Sequence, residues 1–185
     1  ESCFEKALLC SLSRLRSLVG REAILLQDGY LTLNPRVCWI DTWALERLLN
    51  QAEKTDQADP HHDKLMEKIL SLYQGPFLEE DGMPWAYAVR ERLASKFVRS
   101  LRRRGRYLEQ KGLYEEAIAF HPRGLETDPL SEGLYRCLMA CHHRLGRRAE
   151  ALALYQRCRK TLSLLQGIDP SRETEALYQR IKCAG

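Results

Sequence analysis

A helical pattern in the C-terminal half of the chain recurs after 34 residues, and this period constrains the fold more than any other feature. The corresponding positions of the two copies are Gly112 and Gly146, Ala117 and Ala151, and His121 and Tyr155. In each copy the glycine separates two helices, the alanine lets them approach closely, and the ring fills the groove beside it. Because one helix pair leaves an apolar face exposed, neighbouring pairs must stack. The period therefore predicts stacked helix pairs with a concave face that is open to a partner.

The rest of the chain predicts further helices and one hairpin. Apolar periodicity predicts helices at 3–19, 41–54, 63–73 and 85–111, and a capping helix at 171–182. Two short apolar runs flank Asp28-Gly29, a dipeptide typical of a hairpin turn that needs positive φ angles. Residues 37–40 are a candidate third strand. The predicted fold class is mainly α.

Several local signals refine these helices. We expect Asp41 and Asp63 to cap the helices that follow them, and residues 56–62 to form a polar linker. Pro122 lies inside the helix predicted for 115–126. Proline lacks the backbone N–H and clashes one turn back, at a cost of about 3 kcal/mol in a helix interior. We therefore expect a kink or a break at this position.

Composition describes an ordinary globular chain. The 185 residues are 44% hydrophobic and 29% charged, with a net charge of +4 that permits nucleic-acid binding without requiring it. The sequence contains no apolar run long enough to span a membrane and no signal-peptide pattern. Because the chain opens on Glu1 directly in a helical pattern, we expect it to be a piece of a longer, cytoplasmic protein.

No enzyme signature is present. Phosphate-binding loops, dinucleotide fingerprints, zinc-protease motifs and nucleophile elbows are all absent from the sequence. The acidic run at 79–81 lies between Gly/Pro segments and is typical of a solvated loop. We therefore expect no catalysis, no cofactor and no metal.

Histidines and cysteines also favour structural roles. We expect the His61-His62 pair to be exposed in the linker, and His142-His143 to end a helix, where a cation meets the negative end of the dipole. The seven cysteines contain no CxxC pair and are typical of reduced thiols in a cytosolic protein. Cys137 and Cys141 share a helix side, but a second ligand pair is not evident.

The first helix has two different sides. A polar side carries Lys6, Cys10, Ser13 and Arg14, and an apolar side carries Leu8, Leu12 and Leu15, which we expect to be buried. A helix of this kind suits a DNA major groove, where arginine reads guanine edges and serine or lysine binds phosphate. It equally suits a plain amphipathic surface helix, and spacing alone leaves both interpretations open.

Six segments carry a resemblance to known families. Residues 11–20 (SLSRLRSLVG) and 26–35 (LQDGYLTLNP) resemble the recognition helix and wing of OmpR/PhoB-type winged helices. Residues 37–49 (VCWIDTWALERLL), 72–78 (LYQGPFL), 123–132 (RGLETDPLSE) and 146–155 (GRRAEALALY) resemble the bacterial transcriptional activator domain of SARP-type and related regulators. The resemblance covers nearly the whole chain. It implies a partial winged-helix unit at 1–40 and a tetratricopeptide-like α-α superhelix at 41–185.

This resemblance implies roles for individual residues. In the winged helix, Arg14 would contact bases or phosphate, and Ser13 and Arg16 would contact phosphate. Lys6 and Cys10 would face the groove floor, and Gln27 would lie with Asp28 at the tip of the wing. In the repeats, Gly112, Ala117, Gly146, Ala151 and Tyr155 would pack the helix pairs.

The sequence also departs from the family pattern. Asp28 is acidic where a basic residue usually reaches the minor groove, and His121-Pro122 replaces a tyrosine and a helix-compatible residue. The helices that precede a recognition helix in such domains are missing. The resemblance implies that a sensor region lies upstream and that this fragment alone binds DNA poorly.

Two functions remain open at this stage. The first is a fragment of a bacterial transcriptional regulator that binds DNA through residues 1–40 and a protein partner in the repeat groove. RNA polymerase, the upstream domains and a sister protomer are the candidate partners. The alternative is a protein-interaction scaffold that never touches DNA. Five arginines at 99–106 are either a phosphate-binding stripe or a solvated face, partly neutralised by Glu115 and Glu116.

Overall fold

A computed structural model describes residues 3–80 and 82–183. Within these ranges the chain forms eight α-helices and a two-stranded antiparallel hairpin, which confirms the mainly α fold class. The elements are α1 (Cys3–Val19), β1 (Ile24–Gln27), β2 (Tyr30–Leu33), α2 (Asp41–Lys54), α3 (His62–Leu72), α4 (Pro84–Gln110), α5 (Tyr114–Thr127), α6 (Glu132–Arg144), α7 (Arg148–Gln166) and α8 (Arg172–Cys183). The chain divides into two compact units, one that ends at Ala44 and one that begins at Leu45.

The hairpin of the N-terminal unit forms as predicted. Asp28 and Gly29 both adopt positive φ angles, 51° and 80°, which matches the right-handed twist of the flanking strands. The strands pair in register from Ile24 with Leu33 to Gln27 with Tyr30. A positive φ of 96° at Gly20 ends α1 and turns the chain toward β1.

The prediction of a third strand at 37–40 was wrong. In the part of the chain that the structure describes, the sheet has two strands only. The N–H groups of Val37 and Cys38 both donate to the carbonyl of Asn34, which folds this segment into a turn. Since the turn uses these donors, they are not available to extend the sheet.

The buried side of α1 is narrower than predicted. Leu12 packs against Ala23 and Ile24, but Leu8 and Leu15 remain 46% and 49% exposed. The small cluster around Leu12 contains only Ala23, Ile24 and the half-buried Cys38 among the described residues, so the leucines one turn away lack cover.

The second unit begins with a core formed by α2, α3 and α4. Leu49, Met66, Ile69 and Phe97 are almost fully buried there, and the ring of Tyr73 stacks on Phe97 with centroids 4.0 Å apart. Within each helix the core residues are spaced by three or four positions, for example Leu45 and Leu49 in α2, as an amphipathic pattern requires.

The linker at 56–62 is more ordered than predicted, and two expectations about it were wrong. His62 is the first residue of α3 and is only 1% exposed. Its Nε2 accepts a hydrogen bond of 2.7 Å from the Gln57 side-chain amide. Asp63 does not cap α3. It lies in the first turn, and its carboxylate pairs instead with the guanidinium of Arg104.

The two repeats are formed by α4 with α5 and by α6 with α7. Gly112 and Gly146 end the first helix of each pair with φ angles of 76° and 75°. Equivalent hydrogen bonds close the two turns, since the N–H of Leu113 binds the Leu108 carbonyl and the N–H of Arg147 binds the His142 carbonyl. The 34-residue period therefore corresponds to a repeated backbone conformation.

A kink or a break was expected at Pro122, and the structure excludes the break, since α5 continues from Tyr114 to Thr127. The proline itself is exposed, whereas His121, Gly124 and Leu125 on the opposite side are buried. Packing of that side holds the helix together despite the missing hydrogen bond.

α8 closes the stack by packing on α6 and α7. Leu177 and Ile181 join Met139 in a small core, and the rings of Tyr155 and Tyr178 stack with centroids 3.9 Å apart. At the start of α8, the Glu132 carboxylate accepts hydrogen bonds from the Ser171 N–H and hydroxyl. This helix thus covers the apolar face that the second repeat would otherwise expose.

Substituting Gly105 with alanine tests the packing of α4 on α5. A Cβ at this position would overlap the imidazole ring of fully buried His121. We expect Gly105→Ala to lower the free energy of unfolding by about 1–3 kcal/mol, measured by urea denaturation. Gly75→Ala is the matched control, because a Cβ there meets no atom within 4 Å. Equal effects of the two substitutions would contradict this account.

The buried histidines make stability depend on pH. Burial lowers the pKa of His121 and of His62 below the usual 6.5, so the folded chain excludes protons that the unfolded chain binds. Their contribution is complete above pH 6.5 and is lost as the pH falls below it, by at most about 1.4 kcal/mol per pH unit for each histidine. Urea denaturation between pH 7.5 and 5 measures this loss. The slope of the unfolding free energy against pH should decrease in His121→Phe. An unchanged slope would contradict the role of buried His121 in the pH dependence.

Candidate functional site

One side of α1 presents the polar residues of the predicted DNA contact. Lys6, Cys10, Ser13 and Arg14 are all exposed, and their spacing places them within about a third of the helix circumference. Leu12 lies on the other side and anchors the helix in the small N-terminal core. The arrangement leaves these four side chains open to a ligand.

Arg16 has a different environment from Arg14. It is half-buried, and its Nη2 donates a hydrogen bond of 3.0 Å to the carbonyl of Ile24 in β1. Its Nε is buried without a hydrogen-bond partner among the described residues. Arg16 therefore joins α1 to the hairpin.

The hairpin tip is polar and exposed. Gln27 pairs with Tyr30 at the last position of the strands, and Asp28 occupies the turn. The ring of Tyr30 is 74% exposed. The tip therefore offers one amide, one carboxylate and one aromatic ring to a ligand.

The positions assigned to repeat packing lie inside the second unit. Ala117 and Ala151 are fully buried, and Tyr155 is 5% exposed. The hydroxyl of Tyr155 donates to the Glu175 carboxylate, and burial together with this contact raises the Tyr155 pKa to about 12. The two glycines instead occupy the positive-φ turns described above.

The arginines at 99–106 do not form a uniform solvated face. Arg104 is 4% exposed and binds both the Gln57 carbonyl and the Asp63 carboxylate. The expected neutralisation by Glu115 is wrong, because Glu115 binds Arg147 across the repeat, at 3.0 Å from its Nη1. Periodicity could not reveal these partners, which lie more than 30 positions away in the sequence.

Histidine, cysteine and acidic side chains are the candidates for metal binding or reactivity among the described residues. No group of three or more histidine, cysteine or acidic side chains in that part of the chain is placed to hold a metal ion. Cys141 and Cys158 are fully buried free thiols, and burial raises their pKa to about 12 and 11. Both are protonated at neutral pH and poorly nucleophilic.

Glu79 and Glu80 are exposed, whereas Asp81 and the side chain of Cys3 lie outside the described residues. His142 and His143 lie in the last turn of α6, as predicted. None of the described helices combines the length and the apolar character that crossing a bilayer requires.

Fold and surface together define a helical-repeat domain joined to a helix-and-hairpin unit. A family model described as the bacterial transcriptional activator domain matches residues 40–182. The chain belongs to this family, as the sequence resemblance predicted.

Relatives of known sequence are similar over most of the chain. It is 30% identical over 171 residues to the regulatory protein AfsR of Streptomyces griseus, covering 91% of this chain and 18% of that protein. It is 30% identical over 172 residues to AfsR of Streptomyces coelicolor, covering 91% of this chain and 17% of that protein. The chain thus spans less than a fifth of the length of these relatives.

A solved structure shares the fold. It is described as Mycobacterium tuberculosis EmbR in complex with a low-affinity phosphopeptide, and it aligns with a TM-score of 0.71. The alignment covers 98% of this chain and 50% of that one at 20% identity. At this identity the similarity establishes the fold alone.

The contact between Arg16 and the hairpin can be tested by hydrogen exchange. We expect Arg16→Ala to accelerate amide exchange across Ile24–Leu33, since it removes a bond between the hairpin and α1. Amides of α7, in the other unit, should be unaffected. Arg14→Ala is the control, because its exposed side chain forms no such bond in the described structure. Protection that stays at wild-type level in Arg16→Ala would remove the role assigned to this residue.

Proposed function

We propose that this chain is part of a bacterial transcriptional regulator, with a DNA-contacting unit at 1–40 and a protein-binding repeat unit at 41–185. The match of residues 40–182 to the bacterial transcriptional activator domain carries the regulatory part of this proposal. The Streptomyces relatives named above are regulatory proteins, which supports the same conclusion.

The exposed polar side of α1 supports the DNA contact. In this proposal α1 enters the major groove, where Arg14 contacts a base edge or a phosphate and Lys6, Cys10 and Ser13 line the groove. Gln27, at the hairpin tip, lies beside the DNA backbone in this proposal. Arg16 supports the contact by holding the hairpin against α1 through the Ile24 carbonyl, and in this proposal its Nη1 lies near phosphate.

Exposed leucines of α1 support the view that this unit is completed by other parts of a longer protein. Besides Leu8 and Leu15, Leu9 and Leu18 are 57% and 82% exposed. Apolar surface of this extent on one helix marks a site of contact with another protein segment. DNA binding would then be strongest in the complete regulator.

The repeat unit supports the protein partner. Stacked helix pairs present a surface that suits RNA polymerase, another region of the same protein or a sister protomer. A protein-interaction scaffold without DNA binding is the alternative, and it depends on the repeats alone. In either function the chain is non-enzymatic, needs no cofactor or metal, and acts in the cytoplasm.

Arg14→Ala tests the DNA contact in the complete protein. We expect it to weaken binding to the regulator's own promoter region at least about tenfold, as the loss of a base or phosphate contact predicts. A footprint titration at fixed salt gives the affinity. Arg157→Ala, an exposed arginine on α7, is the control for the loss of one positive charge. Equal affinities of the two variants would favour the scaffold.

A further inference from the structure

Four arginines of α4, three of them exposed and Arg102 half-buried, line a groove that the DNA-binding proposal does not use. Arg99, Arg102, Arg103 and Arg106 are spaced by three, four and seven residues and share one side of the helix. Together with Gln57 and Gln110 they line an open hollow of about 390 Å³. We call these six residues the arginine groove. Arg99 and Arg102 also line an adjoining hollow of about 510 Å³.

Two of the four arginines are held in place by neighbours. Arg99 pairs with the Glu53 carboxylate, and Arg103 donates to the backbone carbonyl of Glu53. The positive charge of Arg106 lies near the Cys137 thiol and partly opposes the rise in that thiol's pKa on burial. A site whose side chains are already fixed loses less conformational entropy when a ligand binds.

Arg102 is positioned by packing and lacks a charged partner. Its Cδ lies so close to Gly133 of α6 that a Cβ added there would be 3.0 Å from it. Within residues 3–80 and 82–183 it forms no ion pair and no hydrogen bond through its side chain. Its guanidinium is therefore available to an anion, next to the contact between the first helices of the two repeats.

The charge of the arginine groove is unbalanced. Four guanidinium groups line the smaller hollow, and none of the described residues lines it with a carboxylate. Glu53 offsets only one of them, because its carboxylate pairs with Arg99. Such a surface attracts a partner that brings several negative charges close together.

We propose that the arginine groove binds an acidic, extended peptide segment of a protein partner. This inference rests on the proposed protein-binding role of the repeat unit and specifies the chemistry of its partner. From Arg99 to Arg106 the helix rises about 10 Å, which matches three or four residues of an extended chain. The ligand is therefore an acidic segment of about four residues, and because alternate side chains of an extended chain face the same way, its alternate carboxylates face Arg102 and Arg106.

The surroundings of the groove favour a peptide over nucleic acid. Glu91 and Asp128 line the adjoining hollow and would repel a long polyanion that passed through both. A DNA duplex is far too wide to enter hollows of a few hundred cubic ångströms. A short acidic segment can place its carboxylates beside Arg102 and Arg106 and avoid these two side chains.

Fluorescence anisotropy with the 185-residue chain tests the proposal. The probe is a fluorescein-labelled octapeptide with four consecutive glutamates, and the reference peptide carries serines at those positions. We expect the glutamate peptide alone to bind, and Arg102→Ala to weaken it by about tenfold. Arg157→Ala removes the same charge on α7 and should leave the affinity unchanged. Absence of binding, or equal losses in both variants, would overturn the proposal.

Reversing the charge at position 102 distinguishes loss of the binding site from a general folding defect. Arg102→Glu should lose the glutamate peptide and bind a tetralysine octapeptide more tightly than the wild-type chain does, whereas loss of both peptides would count against the groove. A duplex oligonucleotide could also displace the glutamate peptide. If Arg102→Ala then abolished binding of the duplex, the ligand of the groove would be nucleic acid and the peptide proposal would be overturned. Arg14→Ala should retain peptide binding, so failure of the DNA contact and failure of the groove are distinguishable.

Discussion

The close approach of α4 and α5 is the contact on which the second unit depends. Gly105 has no side chain, and the imidazole of His121 occupies the space that a Cβ would need. This contact buries His121 completely and keeps α5 helical through Pro122. α4 also supplies Phe97 and Leu108 to two different core clusters. One long helix thus links the first core to the repeats, and its packing determines where the exposed arginines lie.

The buried side chains of Arg104 and His62 have specific partners that offset part of the lost solvation. The guanidinium of Arg104 binds the Gln57 carbonyl and the Asp63 carboxylate, while the Gln57 amide binds His62. These bonds tie the segment before α3 to α4. Breaking one member of such a network leaves a buried group unpaired, so the network favours a single conformation of that segment. Of the other arginines of α4, Arg99 and Arg103 bind Glu53, whereas Arg102 forms no side-chain hydrogen bond or ion pair in the part of the chain that the structure describes.

The two proposed binding surfaces differ in chemistry. On α1, one arginine is accompanied by a lysine, a serine and a cysteine on a convex, exposed helix side, which suits a groove of DNA. On α4, four arginines line a hollow that is too small for a duplex. A regulator with these two surfaces could bind its DNA site and an acidic segment of a second protein through separate residues. Such separation lets one contact be lost without the other.

The sequence by itself determined the helices, the turns and the family, because these depend on local periodicity and on glycines that need positive φ, such as Gly29, Gly112 and Gly146. The 34-residue period likewise predicted the paired helices. Only the tertiary structure decided that His62 is buried, that Arg104 and Arg16 have structural contacts, and that α5 passes through Pro122 unbroken. The physical reason is that these outcomes depend on partners distant in sequence, whose packing energy exceeds the local preference of a single residue.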